Sequence, residues 1–172
     1  MGRSLEKLLL AVAEWEPRQK DGWIARDAAN LPVSVEELER LVTADAENKT
    51  TLAASQFERL VCLVAVLQGL DYKWQCYIGK TVYGKRRKVD LVLKQSATGA
   101  RLAVECKYQD TSGTADEKLP YAVLNQRTLP IPGVIVYGGH GWSDGCIPWL
   151  CANSQATDLN NWADWVRFFF GI

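Results

Sequence analysis

The segment KVDLVLKQSATGARLAVECKYQ, residues 88–109, contains two short apolar runs separated by a turn-rich link. The first run spans residues 88–94 and the second spans residues 101–109, while the link supplies serine, threonine and glycine. Short apolar, β-branched runs that are bounded by turn residues are typical of two antiparallel strands joined as a hairpin. The segment therefore predicts a β-hairpin, around which the other elements of the chain are expected to pack.

Charged and polar side chains interrupt both predicted strands. Because side chains alternate between the two faces of a strand, Glu105, Lys107 and Gln109 share one face with Ala103. Asp90 is the lone acid of the first run, and a hairpin brings it beside Glu105. Burying such charges costs free energy unless they are paired or bound to a metal. Two carboxylates suit Mg²⁺, which activates a bound water and neutralises phosphate charge, and an ammonium group orients that water or stabilises the phosphorane charge.

This pattern, Asp90, a spacer and then Glu105-Cys-Lys107, resembles the motif of the PD-(D/E)xK nuclease superfamily, the fold of many restriction endonucleases. Gln109, two residues after the lysine, matches a variant found in several branches of that superfamily. The resemblance covers the chain from about residue 56 to residue 137. It implies an α/β fold and metal-dependent hydrolysis of DNA.

One departure from the motif and one alternative interpretation stand beside this resemblance. Val89 occupies the position where the name of the motif has proline, a position at which proline is often missing in the family. A bare Glu-x-Lys is common, so an ordinary strand with a surface pair of Glu105 and Lys107 is the alternative. The spacing of the acids, the hairpin and a helix upstream of it favour the nuclease interpretation.

The upstream helix is predicted over residues 55–69, with Gly69 as its C-terminal stop. It is apolar nearly all round, so it is expected to pack inside the protein. Glu58 shares a face with Val61, which directs a carboxylate along an apolar surface. The first core helix of the resembled family often carries such a glutamate facing the metal, and Phe57-Glu58 resembles that helix. The alternative is an exposed first-turn glutamate, favoured by the helix dipole.

The resemblance assigns a role to each residue of the motif. Ligands for Mg²⁺, or for Mn²⁺ in its place, are expected to be Asp90, Glu105, the backbone carbonyl of Cys106 and, in support, Glu58. Lys107 is expected to position the attacking water, and Gln109 to orient Lys107 or the scissile phosphate. The implied reaction is in-line hydrolysis of a phosphodiester bond in double-stranded DNA.

Five cations lie just before Asp90, within nine residues: Lys80, Lys85, Arg86, Arg87 and Lys88. Charge runs of this kind usually form a solvated loop. Their position beside the proposed acids favours contacts with DNA phosphates, which supply most of the affinity of proteins for nucleic acids.

Composition limits the class of protein. The chain has 172 residues, 48% of them apolar and 23% charged, which suits one globular domain with a sizeable core. Its formal net charge is zero, so any DNA contact has to come from a local basic patch. Five cysteines without a C-x-x-C, and a single histidine, argue against zinc and favour free thiols in a reducing cytoplasm. The chain shows no signal peptide and no apolar run of membrane length.

Residues 1–52 are predicted to be a helical extension packed on the core. A first helix is expected before Pro17, a short one over residues 23–30 and a third over residues 34–42, with Ser34 and Glu37 as its capping box. The second and third helices are similar to a helix-turn-helix. However, the third helix is acidic and DNA phosphates would repel it, so covering the core is the favoured role.

The chain after the hairpin alternates helix and strand. Thr114 and Glu117 predict a capping box for a helix that runs towards residue 127, which either begins near Pro120 or bends there. Residues 133–139 predict a buried strand paired through a crossover, and residues 160–171 predict a final aromatic helix. The single histidine follows the strand and is left out of the site.

Together these elements predict an α/β fold with a central mixed sheet flanked by helices. Residues 53–172 would form the nuclease core with the order helix, three strands, helix, strand, where residues 71–80 are the first strand. The function expected is that of a metal-dependent DNA endonuclease, acting as a homodimer because cutting both strands needs two sites. The alternatives are a DNA-binding module that does not cleave and a protein-interaction domain.

Overall fold

A mixed β-sheet lies at the centre of the protein. The structure is a computed structural model that describes residues 2–15, 23–24, 30–113 and 115–172. The sheet has five strands: β1 Asp71–Lys80, β2 Arg86–Lys94, β3 Arg101–Tyr108, β4 Gly133–Gly138 and β5 Ala156–Asp158. Neighbouring strands in the sheet are also neighbours in the sequence. β1, β2 and β3 are antiparallel, whereas β4 is parallel to β3 and β5 is parallel to β4.

Helices cover both faces of the sheet. Within the described ranges they are α1 Leu5–Glu14, α2 Val35–Ala46, α3 Ala54–Leu67, α4 Ala115–Gln126, α5 Cys146–Asn153 and α6 Trp162–Phe170. α4 and α5 lie in the crossovers that parallel strands require. The predicted α/β class is confirmed, as is the order helix, three strands, helix, strand from α3 to β4. Two short elements, α5 and β5, had no counterpart in the prediction.

The larger core lies between α3 and one face of the sheet. α3 buries Phe57 and residues 60–66, as expected of a helix that is apolar nearly all round. These side chains pack on strand residues of that face: Leu91, Leu93, Leu102, Val104, Val134 and Val136. α1, α2 and α6 complete this core, where Trp162 donates its indole N–H to the carbonyl of Val61 at 2.9 Å.

The other face of the sheet carries α4 and α5. Leu119 and Val123 of α4 and Leu150 of α5 pack on Ile135 of β4. α4 begins at Ala115 and continues through Pro120, so the alternative in which the helix starts near that proline is wrong. The predicted cap at Thr114 lies outside the described residues.

The capping box predicted over residues 34–37 is present, and α1 is capped as well. Ser4 caps α1, and Ser34 and Glu37 form the capping box of α2. Both helices share the core of α3, and the division of the chain after residue 52 stays a prediction.

The predicted second helix, residues 23–30, is not supported at its start. There Ile24 instead forms an isolated antiparallel bridge with Tyr72. The remainder of that segment, residues 25–29, and Pro17 with the loop after it lie outside the described residues. Of the helices that the structure describes, none has the length and apolarity needed to span a bilayer.

Candidate active site

The site lies where β2 and β3 stop pairing with each other. Their backbone register ends at the pair Leu91–Val104, and the preceding residue of β2 is Asp90. Its carboxylate Oδ2 accepts the backbone N–H of Cys106 at 2.7 Å, so a side chain takes the place of a backbone partner. Asp90 thereby lies against the part of β3 that carries Glu105.

A single amide links Asp90 to α3. The Nε2 atom of Gln75 donates to Oε2 of Glu58 at 3.0 Å and to Oδ1 of Asp90 at 3.3 Å. Two carboxylate oxygens from different elements therefore lie within 3.3 Å of one nitrogen atom. Gln75 has a φ of 50°, which is uncommon for a residue other than glycine and marks local strain in the middle of β1. The structure brings Glu58 and Asp90 together, while their function stays a prediction.

Glu105 lies between two cations. Arg87 Nη2 donates to its Oε2 at 3.3 Å, and Lys107 Nζ donates to its Oε1 at 2.8 Å. Lys107 Nζ also donates to the backbone carbonyl of Cys106 at 3.2 Å, and Arg87 Nη1 donates to the carbonyl of Asn125 in α4. The acid and the lysine of the motif are thus in direct contact.

Burial and crowding of charge shift the pKa values of the acids. Burial, and then the charge of Asp90, raises the pKa of Glu58 to about 7. Burial, and then the charge of Glu105, raises the pKa of Asp90, although the Cys106 N–H opposes this shift. Burial lowers the pKa of Lys107, but the charge and hydrogen bond of Glu105, together with the charge of Asp90, outweigh that effect and the pKa is raised. Lys107 is therefore a cation at neutral pH.

The donor set suits a divalent metal in its chemistry. No three His, Cys, Asp or Glu side chains within the described ranges form a ready-made metal cage. However, Glu58, Asp90 and Glu105 supply carboxylate oxygens, and Cys106 supplies a carbonyl oxygen, which are the ligand types that Mg²⁺ binds. Burial raises the pKa values of Glu58 and Asp90, and the charge of a neighbouring carboxylate adds to the shift of each. A divalent cation would balance this negative charge, so the residues fit the metal.

Arg87 corrects the sequence-based expectation. It was grouped with the cations that contact phosphates, but only 5% of its surface is exposed and its guanidinium is held by Glu105 and the carbonyl of Asn125. A run of charges does not reveal which side chain turns inward. In this structure Arg87 supports an acid of the site and is not available to a phosphate at the surface.

Gln109 forms hydrogen bonds to two neighbouring elements. Its side chain is buried, and its amide nitrogen donates to Oδ1 of Asp116 at 3.0 Å and to the carbonyl of Gly141 at 2.7 Å. These bonds join the end of β3 to α4 and to the loop after β4. Gln109 therefore helps to fix the backbone beside the site, while its role in orienting Lys107 or the phosphate stays a prediction.

The other four cations of the basic run are exposed. Lys80, Lys85, Arg86 and Lys88 lie on the β1–β2 hairpin, whose strands lead directly to Gln75 and Asp90. The structure leaves all four exposed, on the hairpin that also carries two residues of the site.

Gln75 is the residue that sequence reasoning missed. The turn after Lys80 pairs Tyr77 with Lys88, and counting on along both strands places Gln75 opposite Asp90. That count was not available from the sequence, because a register shift between Tyr77 and Lys80 separates this pairing from the Lys80–Arg86 pair beside the turn. The left-handed backbone at Gln75, whose side-chain amide reaches Glu58, could not be predicted from the sequence either.

We expect Glu58→Gln to stabilise the metal-free protein at pH 8 by on the order of 1 kcal/mol, and to change little at pH 5. Because the folded protein raises the pKa of Glu58, this residue's contribution to the free energy of unfolding is fully present below pH 4.5, its ordinary pKa. The contribution is lost as the pH rises through about 7. Glutamine stays neutral, so it escapes that loss while still accepting from Gln75. The expected change in the free energy of unfolding is no larger than this because Glu58 is only half-buried, so water screens its charge.

Urea unfolding in EDTA at both pH values measures this difference. Glu39→Gln, an exposed change on α2, is the matched control and should show the same small effect at both. An equal effect of Glu58→Gln at pH 5 and pH 8 would contradict a raised pKa for Glu58 in the folded protein.

Comparisons with known proteins were consistent with this geometry. A family model described as a PD-(D/E)XK nuclease superfamily domain matches residues 35–165, more than half of the chain. The match begins at the start of α2, inside the predicted extension. No curated protein matches the chain. A crystal structure of a protein of unknown function, AF1548, is 15% identical with a TM-score of 0.41, covering 59% of this chain and 55% of that one. The chain thus spans about half the length of that protein.

Proposed function

The chain belongs to the PD-(D/E)XK nuclease superfamily, and from that premise we propose that it is a metal-dependent DNA endonuclease. The observation that carries this proposal is the meeting of Glu58, Asp90, Glu105 and Lys107 where β2 and β3 diverge. Three carboxylates and a carbonyl oxygen suit a divalent metal, and a protonated lysine suits a phosphate or a water molecule. These are groups that can carry out metal-dependent hydrolysis of a phosphodiester.

Asp90, Glu105 and the carbonyl of Cys106 would hold Mg²⁺ or Mn²⁺, with Glu58 in support directly or through water. The metal would lower the pKa of a water molecule and neutralise charge on the phosphate. Gln75 keeps the Glu58 and Asp90 carboxylates close, and Arg87 keeps Glu105 in place. These contacts orient the acids before any ligand arrives, which is where most of the catalytic benefit of such sites lies.

Lys107 would position the attacking water. Glu105 and the Cys106 carbonyl take two of the three N–H donors of its ammonium group. The third can donate to the water or to a phosphate oxygen, in line with the bond that breaks. Because Lys107 stays protonated, it also stabilises the negative charge that develops on the phosphorus oxygens.

The substrate we propose is double-stranded DNA. Lys80, Lys85, Arg86 and Lys88 would contact its phosphates from the exposed hairpin. The formal net charge of the chain is zero, so this local patch carries the attraction. Cleavage of both strands needs two sites, for which a homodimer is the simplest arrangement.

A reducing compartment such as the cytoplasm suits this chain. All five cysteines are free thiols, with Cys62 and Cys106 buried. Burial raises the pKa of both thiols, which keeps them unreactive.

A DNA-binding module that does not cleave is the second candidate. The observation that favours it is that Lys107 already contacts both Glu105 and the Cys106 carbonyl, two of the proposed metal ligands. In such a module this cation would replace the metal permanently.

Supercoiled plasmid separates the candidates. With Mg²⁺ we expect conversion to nicked and linear forms, and with EDTA the plasmid should stay supercoiled. The Asp90→Ala protein, purified in parallel, controls for contaminating nucleases. Intact plasmid that is retarded in a gel, with an affinity that falls steeply with salt, would favour the second candidate. Intact plasmid without retardation would favour a protein-interaction domain.

A further inference from the structure

The tip of the β1–β2 hairpin carries exposed aromatic rings. Tyr83, in the turn, is 77% exposed and stacks on Tyr121 of α4, which is 41% exposed, with ring centroids 5.7 Å apart. Tyr77, on β1, is 60% exposed and has the guanidinium of Arg86 4.3 Å from its ring centroid. We call these four residues the stacking surface.

The hairpin tip is held in one position. The backbone N–H of Val82 donates to the side-chain oxygen of Asn125 at 2.9 Å, and Thr128 donates its hydroxyl to the carbonyl of Lys80 at 2.7 Å. Within the turn, the N–H of Gly84 donates to the carbonyl of Thr81 at 2.8 Å. Exposed aromatic rings on a fixed turn lose little conformational entropy on binding, which favours their use as contact residues.

The charge along the β1–β2 hairpin is positive. No acidic residue occurs between Tyr77 and Lys88, while four exposed cations occur there. Exposed aromatic faces among cations are what single-stranded nucleic acid binds, because each base stacks on a ring while the cations follow the phosphates. Fully paired duplex keeps its bases stacked on one another and cannot use the rings.

The stacking surface is connected to the site. Asn125 accepts the N–H of Val82 with its side chain and accepts Arg87 with its backbone carbonyl, and Arg87 in turn donates to Glu105. Three hydrogen-bonded steps therefore join the turn to an acid of the site. A strand bound at the turn would therefore contact the same hairpin that carries Asp90.

We propose that the stacking surface binds unpaired bases of DNA, so that the enzyme selects DNA with single-stranded segments, such as tails, flaps or bubbles, over fully paired duplex. This inference rests on the proposed function for the consequence that selection governs cleavage. The binding itself is independent of cleavage and is tested without metal.

Binding of a labelled single-stranded oligonucleotide, and of a hairpin duplex of the same base composition, is measured by fluorescence anisotropy in EDTA. We expect Tyr83→Ala to weaken binding of the single strand by about 10-fold or more, and binding of the duplex by less than about twofold. Tyr83→Phe keeps the ring and should bind the single strand like the natural protein. Phe168→Ala removes a 90% exposed ring on α6 and is the matched control, for which no change is expected.

Equal losses on both DNAs, or no loss on the single strand, would overturn the inference. So would sedimentation data in which the natural protein is a dimer that Tyr83→Ala dissociates, because the rings would then contact a second copy. Tyr83 makes its turn through backbone bonds that alanine keeps, so the variant should fold. Cleavage with Mg²⁺ is also assayed on a duplex that carries a single-stranded flap. If both this DNA and plasmid stay intact while Tyr83 governs single-strand binding, the endonuclease proposal fails and this inference stands.

Discussion

Alanine in place of Lys107 is expected to slow plasmid cleavage by at least about 100-fold. The variant loses a cation that touches both Glu105 and the Cys106 carbonyl, and with it the proposed donor for the attacking water. The protein should stay folded because Glu105 keeps its contact with Arg87. DNA affinity, measured by anisotropy in EDTA, should change little, since the exposed cations of the hairpin remain.

Two further variants sharpen this test. Lys107→Arg keeps the charge but replaces a compact ammonium with a planar fork, so cleavage should not return fully. Lys49→Ala removes an exposed lysine that pairs with Glu47, and cleavage should be unchanged. Cleavage by Lys107→Ala at the natural rate, with Asp90→Ala inactive, would remove Lys107 from the mechanism.

Arg87→Leu is expected to lower the free energy of unfolding by about 2–4 kcal/mol. Arg87 is 5% exposed and satisfies both the carboxylate of Glu105 and the carbonyl of Asn125. Leucine fills part of the volume but leaves both acceptors without this partner. Cleavage should fall as well, because Glu105 loses its contact with Arg87 and keeps only its contact with Lys107. Urea unfolding monitored by tryptophan fluorescence measures the first effect.

The neighbouring Lys88→Leu change is the control for Arg87. Lys88 is exposed, so its replacement should alter the free energy of unfolding by less than about 0.5 kcal/mol. In the double variant Arg87→Leu, Glu105→Gln the loss should be smaller than the sum of the two single losses, because the buried charge has also been removed. Equal stabilities of the Arg87→Leu and Lys88→Leu proteins would show that the buried pair contributes nothing.

The hairpin and its acids were predictable because they depend on local alternation. Apolar runs on both sides of a turn fix the pairing of β2 with β3, and the same alternation places Glu105 and Lys107 on one face. Arg87 was not predictable in this way. Val89 belongs to the same buried cluster as Val92, although strict alternation would put them on opposite faces. The strand is therefore irregular near Asp90, and residues before it cannot be assigned a face by counting.

Contacts between distant parts of the chain were also beyond the sequence. The amide nitrogen of Gln109 donates to Asp116 and to Gly141, and Gly141 lies 32 positions after Gln109 in the sequence. Nothing in the local pattern distinguishes that amide from one that faces a phosphate. Glu58 was a different case, because an acid among apolar neighbours on a buried helix already signals a cost that the fold must offset.

The left-handed backbone at Gln75 sets a limit on how far this protein can be made more robust. Glycine at that position would adopt the same φ without a steric penalty, and consensus-style stabilisation would choose it. It would also delete the amide that holds the carboxylates of Glu58 and Asp90 together. Stability of the backbone and the arrangement of these two carboxylates therefore compete at residue 75. Selection for heat resistance alone would favour the change that separates the carboxylates.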